Sequence, residues 1–271
     1  MRILFLGDIV GKPGRDAVVG LLPELRAEFA PELVIANAEN AAGGRGVTRP
    51  IVRALRASGV DVITTGNHVW AKTDELDLLD DEPCVLRPAN YPPGSPGRGW
   101  GLFRTKKGTL IGVANLIGRA LMEPVDDPFR AADAIITQVL EQTPLLFIDF
   151  HAETTSEKTA FGWHCAGRAS VVVGTHTHVQ TADERILPGG TAYITDAGMC
   201  GPEDSVIGMD IEAALARFKT QLPHRLQVAD SYGTLCGVVV DLDESTGKAQ
   251  SIQRLRRSEV NLQAVEPLAK L

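Results

Sequence analysis

The feature that most limits the fold of this chain is the order of its apolar runs. Short strand-like runs alternate with longer helix-like stretches through the first half, and hairpin-like pairs follow. Residues 2–7 read as a strand, 13–29 as a helix opened by Pro13, 33–37 as a second strand, 48–58 as a helix capped by Thr48, and 61–65 as a third strand. Pro23 predicts a kink or break in the first helix. Residues 84–87 read as a further short strand, and the Pro- and Gly-rich residues 88–101 as a surface loop rather than a linker between domains.

From there the rhythm changes. Residues 101–105 and 109–115, separated by Lys106, Lys107 and Gly108, read as a hairpin, followed by a helix at 128–142 and a very apolar strand at 145–150. A helix at 156–165, strands at 170–174 and 191–195, and a helix at 209–220 come next. The last β runs, 234–242 and 248–256, flank a turn at 243–247 and predict an antiparallel hairpin. Parallel-type units early and hairpins late predict a mixed α/β sandwich, and the absence of repeats or low-complexity tracts is read as a single domain over residues 1–271.

Composition narrows the function. Hydrophobic residues make up 44% and charged residues 23%, close to an ordinary soluble globular protein. A formal net charge of −7 argues against binding extended nucleic acid, which needs an excess of Lys and Arg on some face. It leaves room for a small phosphate ligand drawn in by bound metal. The four cysteines, Cys84, Cys165, Cys200 and Cys236, form no C-x-x-C pair, so neither a structural zinc site nor a redox motif is expected, only free and mostly buried thiols. Residues 1–10 are interrupted by Asp8 and read as a strand rather than a signal peptide, and no stretch approaches the roughly 20 apolar residues of a membrane span. A soluble, cytoplasmic protein with no membrane partner is expected.

Most residues with metal-binding chemistry fall where a predicted strand has just ended, the place where α/β sheets usually hold their ligands. Asp8 closes the first strand, Glu39 and Asn40 follow the second, and Asn67 and His68 follow the third. His151 follows the apolar strand, and His176 and His178 follow the run ending at Gly174. Singly, each has a plain structural reading: Asp8 as a turn or cap residue, Asn67 as a turn formed with Gly66, His151 as a satisfied buried histidine. Two histidines one residue apart in extended chain point to the same side and reach one centre or two adjacent ones. Four of the six histidines share this strand-end setting, which makes coincidence a poor explanation, whereas His164 and His224 lie in a helix and a loop and are read as structural. Mixed carboxylate, amide and imidazole donors suit iron, manganese or zinc. The seven donors Asp8, Glu39, Asn40, Asn67, His151, His176 and His178 exceed one ion's needs, and two bridged ions catalyse hydrolysis at phosphorus by clamping the attacking and leaving oxygens. Gly7-x-x-x-Gly11-Lys12 matches neither standard phosphate loop, and no G-x-S-x-G setting supports a serine hydrolase.

The order of these residues resembles the calcineurin-like metallophosphoesterases, whose pattern is an early Asp, a bridging acid, G-N-H, a lone His and a closing G-H-x-H. Gly66-Asn67-His68 matches the third motif, and Gly174-Thr175-His176-Thr177-His178 matches the last with one residue inserted. Two motifs depart: Asp8-Ile9-Val10 lacks the usual third-position histidine, and Asn37-Ala38-Glu39-Asn40 replaces the usual G-D-x-x-D. With Asp149-Phe150-His151-Ala152-Glu153, the set looks like the bacterial YmdB-type branch over nearly the whole chain. The resemblance implies a four-layer α/β/β/α sandwich and a di-metal centre, often iron, hydrolysing small cyclic nucleotides of the 2′,3′ or 3′,5′ kind. It also implies that Glu39 bridges, that Asp8, Asn40 and His178 complete one metal, and that Asn67, His151 and His176 complete the other. His68 becomes the proton donor to the leaving oxygen. A phosphomonoesterase or nucleotidase, a nucleotide-binding regulator with little turnover, and a homo-oligomer are open alternatives.

Overall fold

The computed structural model describes residues 1–258. The first half comprises β1 (Arg2–Leu6), β2 (Asp8–Ile9), α1 (Gly11–Phe29), β3 (Leu33–Asn37), α2 (Arg49–Ser58), β4 (Val62–Thr64), α3 (Leu78–Asp81), β5 (Val85–Leu86), β6 (Trp100–Arg104) and β7 (Leu110–Ile117). The second comprises α4 (Pro128–Leu140), β8 (Leu146–His151), α5 (Thr155–Cys165), β9 (Val171–Thr175), β10 (Arg185–Leu187), β11 (Thr191–Ile194), β12 (Met199–Pro202), α6 (Ile211–Thr220), β13 (Gly233–Leu242) and β14 (Ala249–Ser258).

Alternation along the strands sets the layers, because successive side chains of a strand point to opposite faces. Ile3 and Phe5 of β1, and Leu33 and Ile35 of β3, face a central core, while Leu4, Leu6, Val34 and Ala36 face α1 and α2. In the second sheet Phe147, Val171 and Val173 join the same central core, and Leu146, Ile148 and Val172 turn outward to α4 and α5. Phe5 and Phe147 meet across the middle with ring centroids 5.3 Å apart. The result is helix, sheet, sheet, helix, the four-layer sandwich that the family likeness implied. Each fully buried Val, Leu, Ile or Phe in these cores contributes roughly 1.5–3 kcal/mol.

One sheet runs β2-β12-β13-β1-β3-β4-β5, with β14 on the other side of β13. Within it β1, β3, β4 and β5 are parallel and β13 is antiparallel to β1. The other sheet runs β10-β11-β9-β8-β7-β6, with β7, β8, β9 and β11 parallel and antiparallel strands at both edges.

Several expectations shift. Pro23 does not break α1: it sits on the solvent face, where water can satisfy the carbonyl that loses its helical partner. Thr48 does cap α2 by position, without a side-chain hydrogen bond. Residues 88–99 are not wholly a surface loop, because Asn90 and Tyr91 are buried. Asn90 accepts from the Ile117 N–H at 2.9 Å and donates to the Ile117 and Asp126 carbonyls, pinning the loop to β7. Among the described residues no disulfide forms: Cys165, Cys200 and Cys236 are buried and Cys84 half-buried. No helix of the described residues is long and apolar enough to cross a membrane.

Candidate metal centre

Parallel strands deliver their C-terminal ends to one side of a sheet, and here β1, β3 and β4 of one sheet meet β8 and β9 of the other. Asp8 follows β1 across Gly7, Glu39 and Asn40 occupy the turn after β3, and Asn67 and His68 the turn after β4. His151 is the last residue of β8, not the first beyond it, and His176 and His178 flank Thr177 just past β9. All eight side chains come together. Asp8, Glu39 and His151 are fully buried, and Asn40 is 2% exposed.

The contacts fall into two groups around Glu39. On one side, His151 Nε2 lies 3.0 Å from Asn67 Oδ1, 3.0 Å from His176 Nδ1 and 3.3 Å from Glu39 Oε2. On the other, Asn40 donates Nδ2 to His178 Nε2 at 3.0 Å and accepts from His68 Nδ1 at 2.8 Å. Asp8 Oδ2 accepts the His176 backbone N–H at 3.1 Å, and Glu39 accepts from His68 through both its backbone N–H (3.0 Å) and Nδ1 (3.1 Å). Gly66 makes the closeness of Glu39 and His151 possible: a Cβ there would lie 2.3 Å from Glu39 Oε2 and from His151 Nε2.

This donor set fits a bound cation. Each imidazole has one nitrogen held by an oxygen: His151 Nδ1 by Thr175 Oγ1 at 2.9 Å, His178 Nδ1 by the Ile207 carbonyl at 2.8 Å, and His176 Nε2 by Glu153 at 3.0 Å. Such partners fix the tautomer and leave the other nitrogen free to ligate. The Thr175 hydroxyl donates a hydrogen bond to Asp149 Oδ1 at 2.7 Å, so its oxygen accepts from His151. With neutral imidazoles, the inward atoms of His151, His176, Asn67 and Glu39 are all electron-pair donors, and only a proton or a cation reconciles them. One donor atom each from Glu39, His151 and His176 lies within 4.8 Å of the others. Asp8 Oδ1 is buried with no hydrogen-bond partner, a costly state for a carboxylate oxygen unless a cation faces it.

Burial and neighbouring charges shift the ionisation of these side chains. Burial pushes His151 down, but Glu39, through charge and hydrogen bond, and then Asp8 and Asp149 outweigh it and hold it up at about 9. His176 is pushed down to about 3 by burial and by the neighbouring His151. Burial acts against Glu39's charge, yet His151 and His68 hold its carboxyl well below the ordinary range. Burial raises Asp8 and carries Asp149 up to about 6.

The sequence-based view of His176 and His178 as neighbours in extended chain does not hold. Their φ angles are 98° and 66°, so the strand alternation does not apply, and the rings diverge toward His151 and Asn40. A buried network that sequence reasoning missed holds them. Lys158, 1% exposed, donates to Asp196 at 2.7 Å, and Asp196 accepts from Thr177 through its backbone N–H (3.1 Å) and hydroxyl (2.6 Å). Asp149 was also missed. It ties the sheets together by accepting from Asn37 Nδ2 at 3.0 Å and from the Thr64 hydroxyl at 2.5 Å. A carboxylate interrupting the apolar run Leu145 to Phe150 was the available signal; Lys158 on its helix gave none. His164 is structural as expected, paired with Asp133 at 2.9 Å and edge-on to Phe129. His224 is not remote: it lines a cavity of about 670 Å³ that opens over Glu39, Asn40, His68, His176 and His178.

Comparison with known proteins places these features in context. Residues 4–255 match the family of YmdB-like proteins. The chain is 54% identical over 255 residues to a Bacillus subtilis (strain 168) protein named 2′,3′-cyclic-nucleotide 2′-phosphodiesterase, covering 94% of this chain and 96% of that one. A hypothetical protein from Thermus thermophilus superposes with a TM-score of 0.89 at 41% identity, covering 96% of this chain and all 100% of that one. A crystal structure described as a novel phosphatase from Mycoplasma pneumoniae gives 0.89 at 35% identity, over 97% and 96% of the two chains.

Proposed function

We propose that this chain, which belongs to the YmdB-like protein family, is a metal-dependent phosphoric diester hydrolase that opens small cyclic nucleotides, foremost 2′,3′-cyclic ones. The observation that carries the reading is the convergence of Glu39, His151 and His176 beneath an open cavity, with Asp8 Oδ1 buried beside them without a hydrogen bond, 3.7 Å from His151 Nδ1. Asn67, His151 and His176 would hold one transition-metal ion, Asp8, Asn40 and His178 a second, and Glu39 both. Ligation by Asn40 takes its amide turned with Oδ1 inward. Imidazole, amide and carboxylate donors together suit iron, with manganese and zinc as the nearest substitutes. When bound, such ions supply Lewis-acid stabilisation of charge at phosphorus and a nucleophilic water at neutral pH.

The chain's own residues supply the rest. Hydrolysis adds water's oxygen to phosphorus and breaks the bond to one ribose oxygen, O2′ in the reaction for which the Bacillus relative is named. The departing oxygen needs a proton. His68 lines the cavity with Nδ1 directed to Glu39 and Asn40, and its Nε2 makes no hydrogen bond among the described residues. Glu39 thereby orients the ring whichever way the Asn40 amide is turned, and a proton delivered from Nε2 is worth roughly 10²–10⁴ in rate.

Metal analysis of protein purified without added metal, paired with a hydrolysis screen over 2′,3′- and 3′,5′-cyclic nucleotides, tests the proposal. Protein that holds transition metal yet hydrolyses none of them would end it. The Mycoplasma phosphatase favours a second reading, a phosphomonoesterase on the same ligands. Rates on bis-p-nitrophenyl phosphate and p-nitrophenyl phosphate separate the two, since only the monoester carries a second negative charge.

A further inference from the structure

Unpaired cations gather over the proposed ligands. Arg45, Lys72, Arg217 and Arg225 all line the cavity, and no side chain of the four makes a hydrogen bond or ion pair among the described residues. Arginines elsewhere are commonly engaged: Arg2 with Asp241, Arg49 with Asp77 and Asp81, Arg119 with Asp127, Arg254 with Glu184. The acids lining the cavity, Glu39 and Glu153, are occupied by His68, His151 and His176. In a chain of net charge −7, this is a local reversal of sign.

The cations come from separate walls. Arg45 sits among Gly43, Gly44 and Gly46, whose φ angles of 70°, 94° and 77° favour glycine, and it is the one long side chain of that turn. Lys72 lies against that turn: a Cβ on Gly46 would be 2.9 Å from Lys72 Cγ. Arg217 projects from α6 and Arg225 from the segment after it, which is fastened back by the hydrogen bond from the Asp210 N–H to the Gln227 carbonyl at 2.9 Å. A cyclic diester carries a single negative charge at its scissile phosphorus, and that charge faces the metal ligands. Four more unpaired cations exceed what it requires.

We propose that this rim binds a second phosphate group, so that the preferred substrates are 2′,3′-cyclic phosphates whose nucleoside also bears a 5′-phosphate or a 5′-linked nucleotide. The proposal rests on the cyclic-nucleotide reading above and names the substrate class of that site.

Three substrates decide it on the unaltered protein: 2′,3′-cyclic AMP, the same compound carrying a 5′-phosphate, and a diadenylate ending in a 2′,3′-cyclic phosphate. At low ionic strength kcat/KM should be about tenfold higher for at least one of the two that carry a second phosphate, mostly through KM, and the advantage should shrink as salt screens it. An advantage confined to the 5′-phosphate identifies a terminal phosphate as the ligand; one confined to the diadenylate identifies an internucleotide linkage. Replacing Arg217 and Arg225 together with Ala should bring the ratio toward one, and replacing Arg45 and Lys72 probes the opposite wall independently. Equal or better turnover of 2′,3′-cyclic AMP by the unaltered protein overturns the second-phosphate proposal alone. Failure to hydrolyse all three overturns the cyclic-nucleotide reading with it.

Discussion

At the floor of the cavity Asp8, Glu39 and His151 are fully buried and tied to neighbours over both sheets, whereas at its rim Arg45, Arg217 and Arg225 are exposed and their side chains pair with none of the described residues. The difference follows from where each group sits. Floor residues stand at the ends of buried strands, where a charge out of water must be matched atom by atom. Rim residues stand on a glycine turn, a helix and a trailing segment, where water keeps each charge stable until a ligand arrives. On the proposed reading the floor would govern what reaction occurs, and the rim what is admitted to it.

The sharpest way to break that division is at Glu39. Glu39→Gln removes the charge shared by both proposed metal positions, so elemental analysis should find both ions lost. Hydrolysis should fall by more than the roughly 100-fold that marks the upper end for the outer partners of a ligand. Two ions retained in the variant would remove Glu39 from its bridging role. His68→Ala should keep its metals and slow turnover of a poor leaving group by roughly 10²–10⁴, with a smaller loss for p-nitrophenolate. An undiminished rate on the poor leaving group would show that the proton comes from elsewhere.

Asp149→Asn reaches the floor through Thr175, which holds His151, and through Asn37, which holds the Glu39 backbone, and it should weaken metal binding by about 10–100-fold while leaving the fold intact. Unchanged affinity in a metal titration would limit Asp149 to joining the sheets. Metal-free protein should also reveal the floor by its pH dependence. His151 is held up at about 9 against an ordinary 6.5, so its contribution to stability is complete below pH 6.5 and is lost as pH rises through about 9. The Tm of chelator-treated protein should decline across that window, and the part due to this residue should vanish in His151→Asn; an identical decline in both would refute the assignment. The rim should give the smallest effect. Raising salt from about 0.05 M to 0.5 M should increase KM a few-fold with metal content constant, because only exposed charges are screened strongly.

Much of the floor's convergence was legible in the sequence, since several apolar runs ending on Asp, Glu, Asn or His share one strand-end setting. Asp8, Glu39, Asn40, Asn67 and His151 all stand within three residues of a strand end, and the two sheets bring them together with His68, His176 and His178. What escaped was set by contacts between distant segments. The left-handed backbone at His176 and His178 goes with a hydrogen bond to Asp8 and with Asp196 gripping Thr177, partners far off in the chain. The two-residue pairing of β2 with β12 is too short for any pattern to reveal. His224 looked like a loop residue beside Pro223, and it is one; only the fold shows that the loop overhangs the ligands.

For anyone wishing to retune such a centre, Gly66 divides the positions open to engineering from those that are closed. Even a methyl group there would stand 2.3 Å from two of the side chains proposed to grip metal, so the gap between them is defined by the lack of a side chain and admits no graded adjustment. Asn40 and Asn67 offer the freedom that Gly66 withholds, because exchanging either for aspartate adds charge to the cage while leaving the number of heavy atoms unchanged.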